Sequence, residues 1–165
     1  MDATQDTELG KGLTVAEMRD AELEIIKSVQ KHNFDKEFCS LKPDAKASTH
    51  ESRSVSRTSP LARLDPFVDE RGVIRVGGRI RRSNMDAKVK HPVILPKKSH
   101  ISTPIARHFH ERVSHQGRAM TWNEIRASGY WILGCKDVVA KLIKDCTTCR
   151  KLRASSNDKK MADLP

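Results

Sequence analysis

Apolar residues along this chain recur in short clusters at two different spacings. Val15, Met18, Ile25, Ile26 and Val29 fall on one helical stripe and predict a helix over 15–31. Thr14-Val15-Ala16-Glu17 in front of it has capping-box form: the Thr hydroxyl takes a backbone N–H three residues on, and Glu17 reaches back. Acidic residues crowd the first half of this helix, where the helix dipole favours them. From Ser40 to Ser59 the composition shifts to Lys, Ser, Thr, Pro and Arg, too little apolar surface to offset chain entropy, so 40–59 is expected to be a disordered linker. A strand pattern follows. Leu64-Asp65-Pro66-Phe67-Val68 leads into a strand and Asp69-Glu70-Arg71-Gly72 makes a turn. Val73-Ile74-Arg75-Val76 is a second strand, ended or bulged by Gly77-Gly78. His91-Pro92-Val93-Ile94-Leu95-Pro96 is a third, and its bracketing prolines place it at a sheet edge.

After residue 98 the period is helical again. Ser99 or Ser102 is placed to cap a helix running to about Val113, with Ile101, Ile105, Phe109 and Val113 on one face. Ser114-His115-Gln116-Gly117 breaks it. Thr121-Trp122-Asn123-Glu124 opens another helix, again with capping-box form. Gly129-Tyr130-Trp131-Ile132 is a short extended aromatic stretch. A further helix spans 136–144, with Val138, Val139, Leu142 and Ile143 facing inward. The expected fold is mainly α. A tail and helix (1–39) and a linker (40–59) precede a small β-hairpin or sheet region (60–98), then a small helical domain (99–153) and a flexible tail (154–165).

Charge adds a partner class. The formal net charge is +10, but residues 1–51 carry 7 Lys+Arg against 11 Asp+Glu and residues 52–165 carry 24 against 10. A basic half joined to an acidic segment points to nucleic acid, although a solvated surface accounts for the same numbers. With 37% hydrophobic and 4% aromatic residues, the 165-residue chain suits one modest core. Residues 1–10 are polar and acidic, unlike a signal peptide, and no stretch approaches the roughly 18 apolar residues of a membrane span. A reducing compartment is therefore expected, which turns Cys39, Cys135, Cys146 and Cys149 away from disulfides and toward metal or redox chemistry.

Two close pairs have metal-ligand spacing. Cys146 and Cys149, with two residues between them, form the usual knuckle, and His110 and His115, with four residues between them, converge if the helix ends between them. The pattern His-x4-His-x30-Cys-x2-Cys fits one structural zinc per chain, which would close a core built on Trp122, Tyr130, Trp131, Leu142 and Ile143. His108 competes with His110, but the two point about 200° apart on a helix, and His110 lies nearer the break. Cys135 reads as a small packed side chain. Cys39, His32, His50, His91 and His100 have no partner at ligand spacing. Four protein ligands leave no open position for catalysis, and His115 falls one residue late for a His-Glu-x-x-His motif with Glu111.

The run from His110 through His115-Gln116-Gly117 and Tyr130-Trp131-Ile132 to Cys146-Thr147-Thr148-Cys149-Arg150 resembles the His-His-Cys-Cys zinc-binding domain of retrotransposon and retroviral integrases. The upstream pieces Ser59-Pro60-Leu61, Leu64-Asp65-Pro66-Phe67, residues 69–80 and His91-Pro92-Val93-Ile94-Leu95-Pro96 resemble the BEL/Pao group of long-terminal-repeat retrotransposons. This resemblance implies helices packed around one zinc, self-association or contact with other integrase regions, and engagement of the element's DNA ends. It implies no small-molecule substrate, no membrane, and residence in the nucleus or cytoplasm. Met161-Ala162-Asp163-Leu164-Pro165 resembles the lead-in to the integrase core, whose acidic triad would follow, so the chain itself is not expected to be an enzyme. Candidate phosphate contacts are Arg107, Arg112, Arg118, Arg126, Lys141, Lys144, Arg150, Lys151 and Arg153. The alternative is a domesticated or truncated host-genome protein using the zinc domain as a protein-interaction module.

Overall fold

The computed structural model describes residues 12–41, 55–78 and 86–154. Expectations for the N-terminal tail, the middle of the linker and the C-terminal tail lie outside these residues. The protein is mainly α with one small sheet, in which strands β1 (Phe67–Val68), β2 (Ile74–Arg75), β3 (Val93–Leu95) and β4 (Tyr130–Ile132) follow the order β1-β2-β3-β4. The first two pairings are antiparallel and β3–β4 is parallel. Helices α1 (Val15–Asn33), α2 (Asp35–Leu41) and the short α3 (Ala87–Lys90) precede β3. Helices α4 (Ser102–Arg112) and α5 (Arg118–Ala127) form the crossover from β3 to β4, and α6 (Cys135–Asp145) and α7 (Thr147–Arg153) follow.

The strands alternate sides as a pleated backbone requires. Val73, Val93 and Leu95 face the helices and share a core with Ala106, Phe109, Ile125, Ile132, Val139 and Ile143. Ile74 and Ile94 face the opposite way and pack with Phe34, Leu41, Val55 and Leu61. The sheet is thus a middle layer with a core on each side, and the β region and the helical domain share one hydrophobic interior. Leu41 and Val55, both inside the segment expected to be a linker, are buried in the second core.

The strand at 93–95 is interior, not at an edge. Pro92 and Pro96 flank it, so their missing N–H groups fall outside the ladder, and Pro92 serves as an acceptor for the Val76 N–H at 3.0 Å. Neither Ser99 nor Ser102 is the N-cap of α4: Ser102 is fully buried and its hydroxyl donates to the Pro96 carbonyl at 2.6 Å. Thr121 does not open α5, which begins three residues earlier behind Gly117. The capping box of α1 does form, with Glu17 N–H donating to Thr14 Oγ1 at 3.2 Å and Thr14 N–H to Glu17 Oε2 at 2.7 Å.

The apolar stripe of α1 is rotated from the one read above. Val15, Met18 and Ile25 are more than half exposed, and the buried positions are Ile26, Val29 and Gln30. Gln30 is the reason. Its side-chain amide donates to the carbonyls of Ile74 and Ile94, and its Oε1 accepts from the Ile74 N–H, each at 2.8 Å. One fully buried polar side chain therefore bonds to the backbones of both β2 and β3. Tyr130 ties α1 to β4 as well, its hydroxyl donating to Glu22; burial, reinforced by that carboxylate, raises the phenol's pKa. Close backbone approach explains Gly77, where a Cβ would meet the Asp65 carbonyl oxygen at 2.2 Å.

Replacing Gln30 with Leu keeps the volume but strands one buried N–H and two carbonyls. Each such group costs about 1–3 kcal/mol, so Gln30→Leu is expected to lower stability by about 3 kcal/mol or more in denaturant unfolding at fixed zinc concentration.

Candidate metal centre

Histidines five positions apart on a continuous helix would point about 140° away from each other. The chain avoids this by ending α4 at Arg112 and entering the left-handed region at Ser114 (φ 50°) and His115 (φ 60°). The His115 N–H then donates to the His110 carbonyl at 3.1 Å, which closes the turn and brings the His115 ring back over its partner. Left-handed backbone without glycine costs roughly 1–2 kcal/mol per residue. Gly117 (φ 99°) then starts α5, in a conformation suited to glycine. On the other side, Cys146 is the extended residue between α6 and α7, and Cys149 lies in the first turn of α7. The Cys149 N–H is directed at the Cys146 sulfur and lowers that thiol's pKa, while burial pushes the Cys149 thiol up.

These two turns meet. One ligand atom from each of His110, His115, Cys146 and Cys149 lies within 4.8 Å of the other three. His110 Nε2 is 3.2 Å from Cys149 Sγ and 2.9 Å from His115 Nδ1. His115 Nδ1 is 3.4 Å from Cys146 Sγ and 3.8 Å from Cys149 Sγ. A tetrahedron built on ordinary Zn–N and Zn–S bond lengths has edges of about 3.3 to 3.8 Å. Three of the four separations lie within about 0.1 Å of that range, and the His–His edge is shorter by a few tenths. Two nitrogens and two sulfurs at tetrahedral spacing are the donor set of a structural zinc, and the residues present fit one ion.

A fifth residue orients this set. Thr121, fully buried, donates its hydroxyl proton to the Gly117 carbonyl at 2.8 Å. Its oxygen, 3.1 Å from His110 Nδ1, must then accept the imidazole N–H. That bond fixes the tautomer with Nε2 bare and aimed at the sulfurs. Burial, then the neighbouring His115, lowers the His110 pKa and favours the neutral ring, which is the ligating form. Sequence reading missed this role because the Thr-x-x-Glu spacing suggested a cap.

The competing residues lie elsewhere. His108 is exposed, edge-on to Phe109, and Cys135 is buried at the start of α6 away from the cluster. His91 bonds to the Val76 carbonyl, and Cys39 is exposed. Of the expected core residues, Ile143 is buried, Trp122, Tyr130 and Leu142 pack half-buried against the core, and Trp131 lies outside the cluster. The basic candidates do not form one surface. Lys144, Arg150, Lys151 and Arg153 line a depression beside Cys149, whereas Arg107 and Lys141 line a groove between α4 and α6. Arg118 is exposed, Arg112 pairs with Glu124 at 3.5 Å, and Arg126 is stacked between two tryptophans.

A sequence model of the integrase zinc-binding domain matches residues 98–155, which span all four ligand residues and α4 to α7. Searches of curated proteins and of solved structures returned no match. Geometry and family match together define a zinc-binding, integrase-type module with one structural zinc. No helix among the described residues is long and apolar enough to cross a membrane.

Thr121→Val removes the acceptor that orients His110 while keeping the side chain's shape. It is expected to weaken zinc affinity by about 10- to 100-fold in a competition titration with a chromophoric chelator, with the helical signal of the zinc-loaded protein unchanged.

Proposed function

We propose that this chain is the zinc-stabilised, DNA-engaging and self-associating module of a retrotransposon integrase of the BEL/Pao type, without catalytic activity of its own. The observation that carries this reading is the convergence of His110, His115, Cys146 and Cys149 inside the segment matched by the integrase zinc-binding domain. The zinc is held by His110 Nε2, His115 Nδ1 and the two thiolates. Four protein ligands leave it no water to activate, so its work is structural: it joins the α4–α5 pair to α6 and α7.

DNA is the partner that the charge favours. Lys144, Arg150, Lys151 and Arg153 gather beside the metal site, on either side of the break between α6 and α7 at Cys146. Self-association draws on apolar side chains left uncovered, namely Val15, Met18 and Ile25 on α1, Met120 on α5 and Leu152 on α7. The sequence pieces between residues 59 and 96, through their resemblance to the BEL/Pao segment before the integrase, support the lineage.

Wild-type protein is expected to carry one zinc per chain by elemental analysis, and Cys146→Ser/Cys149→Ser none, with loss of helical circular dichroism. Structural zinc contributes on the order of 10 kcal/mol of apparent folding free energy, so the loss should be cooperative. Zinc-loaded protein should bind duplex DNA with an affinity that falls steeply with salt, about 0.9 in log–log slope per phosphate contacted. Salt-independent binding, or none at low salt, would refute the DNA assignment.

A further inference from the structure

Both tryptophans of the chain, Trp122 on α5 and Trp131 on β4, line a single cavity of about 340 Å³ at the start of α6. Between them lies Arg126, its guanidinium carbon 4.2 Å from the Trp122 ring centre and 4.1 Å from that of Trp131. Lys136 also reaches the cavity, its ammonium 4.8 Å from the Trp122 ring centre. Two cations thus share one indole. Among the described residues neither has a carboxylate within 4.0 Å. Asp137 also lines the cavity, but it is engaged by Lys97 at 2.5 Å.

This arrangement differs in kind from the other basic residues. Lys144, Arg150, Lys151 and Arg153 are exposed, and an anion binding to them must first immobilise long side chains at a cost of up to about 2 kcal/mol each. Arg126 has already lost that freedom between two rings, and burial lowers its pKa. Its planar fork of N–H donors is held in place, with no side-chain acceptor bonded to it among the described residues. Like charges at one indole repel each other, and an anion that reaches both relieves that repulsion. The cavity is at the small end of the range for ligand pockets, large enough for one nucleotide unit and too small for a base pair.

We infer that the Trp122–Arg126–Trp131–Lys136 cavity binds one unpaired nucleotide of a nucleic-acid strand, its phosphate bridging Arg126 and Lys136 and its base lying against the indole wall. This rests on the reading of the chain as a DNA-engaging module and adds to it a place where a strand end or frayed base docks. Indoles and arginines serve unpaired bases in this way whatever the base, since every base offers a π-face. An intact duplex would reach only the rim of the cavity.

Because the chain's two tryptophans both line the cavity, its intrinsic fluorescence reports on this site alone. Zinc-loaded full-length chain is titrated with a labelled oligothymidylate, a blunt duplex of equal length and an oligoglutamate peptide, with anisotropy of the label followed in parallel. Oligothymidylate should quench the tryptophans saturably, and the duplex should bind by anisotropy with much less quenching. Arg126→Met and, independently, the exposed Lys136→Gln should each weaken the quenching titration by about tenfold at unchanged zinc content. Single-strand binding by anisotropy without quenching would place the strand elsewhere and overturn this inference while leaving DNA engagement intact. Quenching by oligoglutamate at equal or lower concentration would overturn it in favour of an acidic protein partner. Absence of all DNA binding would overturn both readings.

Discussion

Two pairs of ligands thirty residues apart in sequence must reach one point, and much of the helical half of the molecule follows from that requirement. His110 and His115 cannot share a helix face, so α4 has to stop and the chain has to turn through two left-handed residues. Cys146 has to be extended for its sulfur to join that of Cys149, which divides α6 from α7. Each of these local choices is unfavourable or neutral taken alone. Their combined cost, a few kcal/mol for Ser114 and His115, is small beside the roughly 10 kcal/mol that a structural zinc contributes. The backbone around the ligands is thus shaped by reaching the metal, with α4 ending at Arg112 and α6 separated from α7 at Cys146.

The metal alone does not organise the remainder. The crossover from β3 to β4 contains α4 and α5, so the strands fix where the histidine-bearing helix begins and where the tryptophan-bearing helix ends. The buried amide of Gln30 holds β2 and β3 to α1 from outside the zinc module. A polar network fully satisfied in this manner specifies one docking geometry, because any slip strands three backbone groups. The zinc site and the Gln30 site thus each fix a different set of elements around the common core.

The legible parts of the sequence were those in which chemistry repeats at fixed spacing. The four ligands and the turns at Asp69-Glu70-Arg71-Gly72 and Ser114-His115-Gln116-Gly117 were read from residues alone, as was the capping box at Thr14. What could not be read were the relations between distant segments. Tyr130-Trp131-Ile132 looked extended, but nothing local says that it pairs in parallel with Val93-Ile94-Leu95 and so moves that strand from edge to interior. Gln30 is one polar residue in a polar helix until β2 and β3 are placed beside it. Thr121 resembled a cap because spacing cannot distinguish a hydroxyl at a helix start from one that receives a histidine N–H across two helices. Arg126 read as one candidate phosphate contact among nine because Trp131, which completes its stack, belongs to another element.

Zinc K-edge X-ray absorption of the metal-loaded full chain tests the account most directly, since it counts ligand types without depending on activity or folding assays. A first shell of two sulfurs at about 2.3 Å and two nitrogens at about 2.0–2.1 Å, with no further light scatterer, is the result predicted by the convergence of His110, His115, Cys146 and Cys149. A shell lacking sulfur, containing more than two sulfurs, or retaining a bound water would contradict it.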